Sequence, residues 1–335
     1  MDELKNVAIP TIVGENDKIS STKDFVQAKR AASFVQYTTL DGKYYRPATK
    51  TVDKMPSALY RLMIDNAGIV FSREDIVTDN LLKFPDSKSA MILSEIDKFW
   101  SLKPKFEQYG FVHKRGFLLW GPPGGGKSCT VSLVAQEMIN KQDGLVFLSQ
   151  NPQTLEEAMR VIRQVEPNRK ILVLLEDVDD ILMHGNEHHL LNLLDGSVQA
   201  DNVVYIATTN YPEKLPPRLV NRPSRFDKIV EIGYPSEEAR QFYIEHKLGE
   251  GNHIHKETNQ QTGEVEHINL ATVTKGFTFA HLRDMIVSIF CLGMPTQETI
   301  NRLGKMKYSP KSDDSGRGRM GIGSNDYSSD ENKRG

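Results

Sequence analysis

Residues 116–128 read Gly116-Phe-Leu-Leu-Trp120-Gly121-Pro122-Pro123-Gly124-Gly125-Gly126-Lys127-Ser128. An apolar run ends there in a glycine-rich turn, and an amphipathic stretch follows. The pattern predicts a buried strand over 116–120, a loop, and a helix over 128–140. The loop satisfies the spacing G-x-x-x-x-G-K-[ST], which reads as a phosphate cradle. Its glycines let successive backbone N–H groups converge on phosphate oxygens with no Cβ in the way. The helix offers its N-terminus to the same anion. With average glycine usage near ~7%, this spacing arises by chance in roughly one chain in a hundred, but the strand before it and the helix after it are the context that confirms it. We expect Gly121, Pro122, Pro123, Gly124, Gly125, Gly126, Lys127, Ser128 and Cys129 to line a nucleotide site. Lys127 would reach the β- and γ-phosphates and Ser128 would ligate Mg²⁺.

Downstream, the hydrophobic period alternates. Strands are expected at 145–149, 171–175 and 203–207, and helices at 155–164 and 189–194. Upstream, Ile92, Ile96 and Phe99 recur at helical spacing and predict a helix over 89–100. Strands that are apolar throughout, separated by helices, imply a parallel sheet covered on both faces. The strand Ile171-Leu-Val-Leu-Leu175 runs into Glu176-Asp177-Val178-Asp179. Two carboxylates at the end of an aliphatic strand are the expected Walker B site. One anchors the Mg²⁺ shell and the next activates the attacking water. By position Glu176 takes the metal side and Asp177 the base, though an Asp base is one methylene shorter and the two can share duties. Val203-Val-Tyr-Ile-Ala-Thr-Thr-Asn210 is a further strand, and Asn210 would hold the water or the γ-phosphate if that strand lies beside the acidic one. Arg222 and Arg225, in Arg222-Pro-Ser-Arg225-Phe-Asp227, are candidate arginine fingers acting on a neighbouring subunit's nucleotide.

These segments, with Leu193-Leu-Asp-Gly196, stand in the order and spacing of AAA+ ATPases, and the resemblance covers about residues 80–300. The Glu-Asp order and the lead-in Lys114-Arg-Gly-Phe-Leu-Leu-Trp120 resemble most the subgroup that includes the mitochondrial translocase of the Rieske iron–sulfur protein. That translocase has a transmembrane helix and no such run is present here, so its substrate does not carry over. The resemblance implies a P-loop α/β core with a helical lid, ATP and Mg²⁺ as ligands, and a homo-oligomeric ring of six or seven subunits. Many relatives that thread protein carry an aromatic pore loop after the second core strand. Here that segment is Gln150-Asn-Pro-Gln-Thr154, which weakens a threading mechanism. Arg283, in Gly276-Phe-Thr-Phe-Ala-His281-Leu-Arg283, faces either the nucleotide or the lid surface.

The 335 residues are 39% hydrophobic and 26% charged, with 42 basic and 44 acidic side chains and a net charge of −2. Wholesale disorder is excluded by the apolar content, and a coat on nucleic acid by the charge balance. Two cysteines cannot build a disulfide framework. No secretory signal and no membrane span are read, so a cytoplasmic, reducing setting is expected. The expected divisions are an arm at 1–36, a small β-rich domain at 37–80, the ATPase core at 81–235, the lid at 236–303 and a loose tail at 304–335. Zinc at His184, His188 and His189 is disfavoured, since no further ligand lies nearby. His113-Lys114-Arg115 is expected to be exposed near the nucleotide site, and His253, His255 and His267 to be solvated. The expected function is an ATP-driven ring that remodels a macromolecule, protein before nucleic acid. A nucleic-acid motor and an ATP-gated assembly switch are the alternatives.

Overall fold

The computed structural model describes residues 36–39, 45–48, 51–65, 68–76, 82–84, 88–183, 185–195, 200–222, 224–258 and 263–306. Residues 1–35 of the expected arm, His184, Gly196 and the tail from 307 lie outside them. Two units divide at Pro56. In the first, β1 (Gln36–Thr39) and β2 (Tyr45–Ala48) pair antiparallel, with Gln36 opposite Ala48.

The second unit is built on a seven-stranded sheet. Its strands are β3 (Leu59–Asp65), β4 (Gly68–Glu74), β5 (Lys114–Trp120), β6 (Leu145–Leu148), β7 (Ile171–Leu175), β8 (Val203–Thr209) and β9 (Lys228–Glu231). Their spatial order is β4-β3-β6-β7-β8-β5-β9. Every neighbouring pair is parallel except β3 and β4. The sequence reading groups residues 37–80 in one β module, but β3 pairs with β6 and is an integral strand of this sheet. Only a long-range pairing decides that, and neither strand's own pattern reveals it.

Helices connect and cover the strands. They are α1 (Ser89–Ser101), α2 (Lys103–Gln108), α3 (Lys127–Gln142), α4 (Pro152–Val165), α5 (Val178–Met183), α6 (Glu187–Asp195) and α7 (Pro217–Val220). β7 and β8 are buried at every position, as central parallel strands covered on both faces must be. Ile92, Ile96, Phe99 and Trp100 of α1 pack onto β5 and α3 residues such as Phe117, Leu119 and Val131, so the helical spacing read from the sequence is the buried face.

His113 departs from expectation. It is fully buried where β5 begins, at the opposite end of that strand from the glycine loop. Its ring stacks on Phe99 at 3.9 Å, and its two nitrogens lie 2.9 Å from the Phe99 carbonyl and 3.1 Å from Asn202 Oδ1. The aromatic face of α1 supplies a pocket that a charge-based reading of His113-Lys114-Arg115 overlooks.

The lid contains α8 (Glu237–Leu248), α9 (Leu270–Val273), α10 (Phe279–Ile286) and α11 (Thr296–Lys305) around Ile244, Leu270, Phe277, Leu282 and Leu303. Side-chain oxygens of Ser236, Asn269 and Thr278 cap α8, α9 and α10. Between α8 and α9 stands an antiparallel hairpin, β10 (Ile254–Thr258) and β11 (Val265–Asn269). Two of its expected solvated histidines are engaged: His253 Nδ1 lies 2.7 Å from Glu245, and the His255 ring meets Phe290 edge-on. The cross-strand alternation that makes this a hairpin is diluted by charged residues on both faces.

One close approach locks β5 to the segment before β9. A Cβ at Gly116 would overlap the Arg225 carbonyl oxygen, and the Gly116 N–H donates to Asp227 Oδ1 at 2.9 Å. Gly116→Ala should therefore cost about 2–3 kcal/mol in a denaturant titration.

Candidate functional site

Parallel strands deliver their C-terminal ends to one edge of the sheet. Trp120 of β5 lies opposite Thr209 of β8, and Leu175 of β7 opposite Ala207. The glycine loop, the Glu176-Asp177 turn and Asn210 therefore emerge side by side. At the other edge, Lys228 pairs with Phe117, so the segment carrying Arg222 and Arg225 leads into the start of β9.

Backbone conformation explains the loop's composition. Gly121, Gly124 and Gly126 hold φ values of 153°, 74° and 106°. At Gly121 a Cβ would overlap the Ile232 carbonyl, and at Gly124 it would meet Ala280 and the Thr278 hydroxyl. The Gly125 N–H donates to the Pro122 carbonyl at 3.1 Å, and α3 starts directly at Lys127. The lid reaches this loop, because the Phe279 N–H donates to the Gly124 carbonyl at 3.1 Å.

Lys127 is buried, and its ammonium donates to the carbonyls of Gly121 (2.9 Å) and Pro122 (3.0 Å) and to Asn210 Oδ1 (2.6 Å). Burial lowers its pKa, while the charges of Asp177 and Asp179 oppose that shift. Asn210 Nδ2 in turn donates to Asp177 Oδ1 at 3.4 Å. Three residues predicted from separate segments thus form one hydrogen-bonded chain across three strand ends. Glu176 is raised above the usual carboxylate range by burial and then by the charge of Asp177. Asp177 is raised by burial and by Asp179 and Asp180, against the pull of Lys127. Crowded carboxylates held in this way are the electrostatic setting that a divalent cation relieves.

Beside the loop lies a cavity of about 290 Å³. Gly125, Gly126 and Cys129 form one wall, with Leu82, Phe84 and Phe279 among the others. The Phe84 and Phe279 rings stack at 4.0 Å. Sequence reading finds Cys129 but misses Leu82, Phe84 and Phe279, which come from segments on either side of the core and meet only through the lid. Cys129 donates weakly to the Leu82 carbonyl at 3.6 Å, and burial raises its thiol pKa, so it is a packing group. Arg283 lines a different cavity with Lys247, Tyr243 and Ile286, on the lid side of Phe279.

The two arginines separate. Arg225 is buried and forks onto Asp195, with Nε at 2.9 Å and Nη2 at 3.2 Å, while Nη1 donates to the Arg218 carbonyl. Arg222 is largely exposed and touches Asp195 Oδ2 at 3.1 Å. Burial opposes ionisation of Asp195, but the Arg225 hydrogen bonds and both guanidinium charges together hold its carboxyl below the usual range. At ~3.3 Å per residue, the five residues from Gly116 to Gly121 separate the Arg225 backbone from the loop by roughly 16 Å. Neither arginine is placed at its own chain's glycine loop.

Among the described residues, no cluster of three or more His, Cys, Asp or Glu side chains is arranged to hold a metal, and His189 Nδ1 instead meets Glu156 at 3.0 Å.

Residues 117–234 match the family described as ATPase family associated with various cellular activities (AAA). A cell division cycle protein 48 homolog of Archaeoglobus fulgidus is 29% identical over 195 residues, covering 53% of this chain and 25% of that protein. The ATP-dependent zinc metalloprotease FtsH 1 of Conexibacter woesei is 30% identical over 216 residues, 58% of this chain and 31% of that one. A probable mitochondrial chaperone bcs1 of Schizosaccharomyces pombe is 32% identical over 166 residues, 46% of this chain and 36% of its own length. The chain thus spans about a quarter to a third of these relatives, and its similarity extends to several branches of the family.

The raised Glu176 carries a stability consequence. Its contribution is largest below the ordinary Glu range and is lost as pH rises through the raised folded-state value. Glu176→Gln should therefore melt a few degrees above the parent at neutral pH, and the gap should close as pH falls toward about 4. Calorimetry across pH checks this.

Proposed function

We propose, with residues 117–234 forming an AAA-family domain, that the chain binds Mg-ATP and hydrolyses it within a ring of like subunits to remodel a protein client. The hydrogen-bonded chain Lys127–Asn210–Asp177 at the mouth of the glycine loop carries the reading. It brings a phosphate-binding cation, a water-orienting amide and a base to one point.

In this reading the backbone N–H groups of the loop and the start of α3 hold the phosphates, and Lys127 neutralises the β- and γ-oxygens. The cavity between Cys129, Phe84 and Phe279 takes the base and ribose, so nucleotide occupies the seam between core and lid. Ser128, whose side chain is exposed at the start of α3, and Glu176 would hold Mg²⁺. A bound Mg²⁺ supplies charge to the phosphate oxygens and relieves the repulsion among the carboxylates. Asn210 orients the attacking water, and Asp177 accepts its proton.

The strand directions support action in trans. With the arginine segment roughly 16 Å along β5 from the loop, a guanidinium that stabilises phosphoryl charge must serve another copy. Arg222 is the exposed candidate. Arg225 and Asp195 form the buried pair that sets the segment's shape. Six or seven subunits, as the family resemblance implies, would close such head-to-tail contacts into a ring. Relatives named as an ATP-dependent metalloprotease and a chaperone favour a protein client. The Glu-Asp order favours the translocase subgroup. Among the described residues no helix is long and apolar enough to cross a membrane.

Lys127→Ala should weaken ATP binding at least a hundredfold in an equilibrium titration, and Asp177→Asn should bind ATP normally while slowing turnover at least tenfold. Retained affinity in the first variant would remove the phosphate assignment; unchanged turnover in the second would move the base to Glu176. Arg225→Ala should lose about 2–3 kcal/mol of stability, because it removes the buried guanidinium whose fork holds Asp195 and leaves that carboxylate to Arg222 and Ser224. Arg222→Ala should fold normally and depress ATPase more than additively when mixed with parent subunits. Stimulation by DNA with a steep salt dependence, rather than by unfolded protein, would replace the protein client with a nucleic acid.

A further inference from the structure

β7 ends at Leu175 and α5 begins at Val178, so Glu176 and Asp177 fill a two-residue turn. Asp177 adopts φ of 49°, in the left-handed region that a residue bearing a Cβ rarely enters. No glycine lies in this turn, and its local bonds, from the Asp180 and Ile181 N–H groups to the Asp177 carbonyl, only begin α5. Tertiary contacts must hold it, and two consecutive threonines at the end of β8 make them.

The Asp177 N–H donates to Thr208 Oγ1 at 3.1 Å. The Thr209 hydroxyl donates to Asp179 Oδ1 at 2.7 Å. Thr208, Thr209 and Asp179 are 3%, 0% and 5% exposed, so the Thr209–Asp179 bond is shielded from water and the Asp177–Thr208 bond partly so. Adjacent side chains of a strand project to opposite faces, and the acidic turn is therefore gripped from both sides. Thr209 Oγ1 also accepts the Tyr211 N–H at 2.9 Å, which fixes the chain just beyond Asn210. Asp177 closes the arrangement, its carbonyl accepting the N–H of Asp180 at 2.9 Å.

We propose that Thr208 and Thr209 are positioning residues for hydrolysis, holding the left-handed turn at Asp177 and the segment around Asn210 in register across the ends of β7 and β8. The proposal rests on the ATPase reading above. A buried carboxylate at Asp179 needs a donor for stability alone, but this donor lies between the two strand ends that carry the base and the water-orienting amide. The loop and the base cavity contact nucleotide through other elements. Loss of the Thr209–Asp179 bond should therefore misplace the reacting groups and leave nucleotide binding intact.

The test compares Thr209→Val with Thr209→Ser in the full chain. The valine variant should lose at least tenfold in kcat while KM for ATP and affinity for ADP stay within twofold, and the serine variant should recover turnover to within twofold of the parent. Because the valine leaves Asp179 without its donor, the double variant Thr209→Val with Asp179→Leu separates stability from positioning. Removing the carboxylate as well should restore most of the melting temperature, the lost Tyr211–Thr209 bond aside, without restoring kcat. Turnover that returns together with the melting temperature would overturn the proposal, as would a valine variant that turns over like the parent. Hydrogen exchange supplies a readout independent of turnover. The Asp177 amide should exchange faster in Thr209→Val than in the parent with no nucleotide present, and unchanged exchange would count against the clamp. If that exchange rises while the parent itself hydrolyses no ATP, the ATPase reading fails and the clamp survives it.

Discussion

Strand direction is the constraint on which the rest of the structure depends. Six neighbouring strands run the same way, so whatever follows β5, β7 and β8 meets at one edge and whatever precedes β9 lies at the other. The glycine loop, the acidic turn and Asn210 share the first edge. Arg222 and Arg225 share the second. A single chain therefore assembles the proposed phosphate-binding and water-activating half of a site and presents the arginine half elsewhere. The buried core of β7 and β8 makes this separation rigid, because two strands buried at every position cannot slip without exposing a full row of side chains.

Much of that core was legible in the sequence, because buried parallel strands and phosphate loops both leave strong local signals. The runs at 116–120, 145–149, 171–175 and 203–207 coincide with β5 to β8, and the expected helices agree with α1, α3, α4 and α6 to within a few residues. Lys127, Asp177 and Asn210 were each named from their own segments, and the fold brings them into contact. β9 is four residues, Lys228-Ile-Val-Glu231, charged at both ends, and carries almost no pattern. β3 looked like part of a separate module because it pairs with β6 between positions 87 residues apart, as in Leu59 with Val146.

The missed residues share a cause. Leu82, Phe84 and Phe279 matter only once the lid folds back over the loop, and His113 becomes a core residue only against Phe99. Thr208, Thr209 and Asp179 lay inside quoted motifs but looked like generic polar residues at strand ends. Their burial and their cross-strand bonds are what give them meaning. Arg222 and Arg225 form the converse case. Sequence treats them alike, whereas burial against Asp195 makes one a structural tether and leaves the other exposed.

The central claim is that the proposed hydrolytic site is completed by a second copy of the chain. Specific ATPase activity measured against protein concentration, with particle mass followed on the same samples, tests it most directly. The account predicts activity per subunit that is low in dilute solution, rises as subunits associate, and reaches a plateau with the mass of a closed assembly. Full specific activity from a species whose mass is that of a single chain would contradict it.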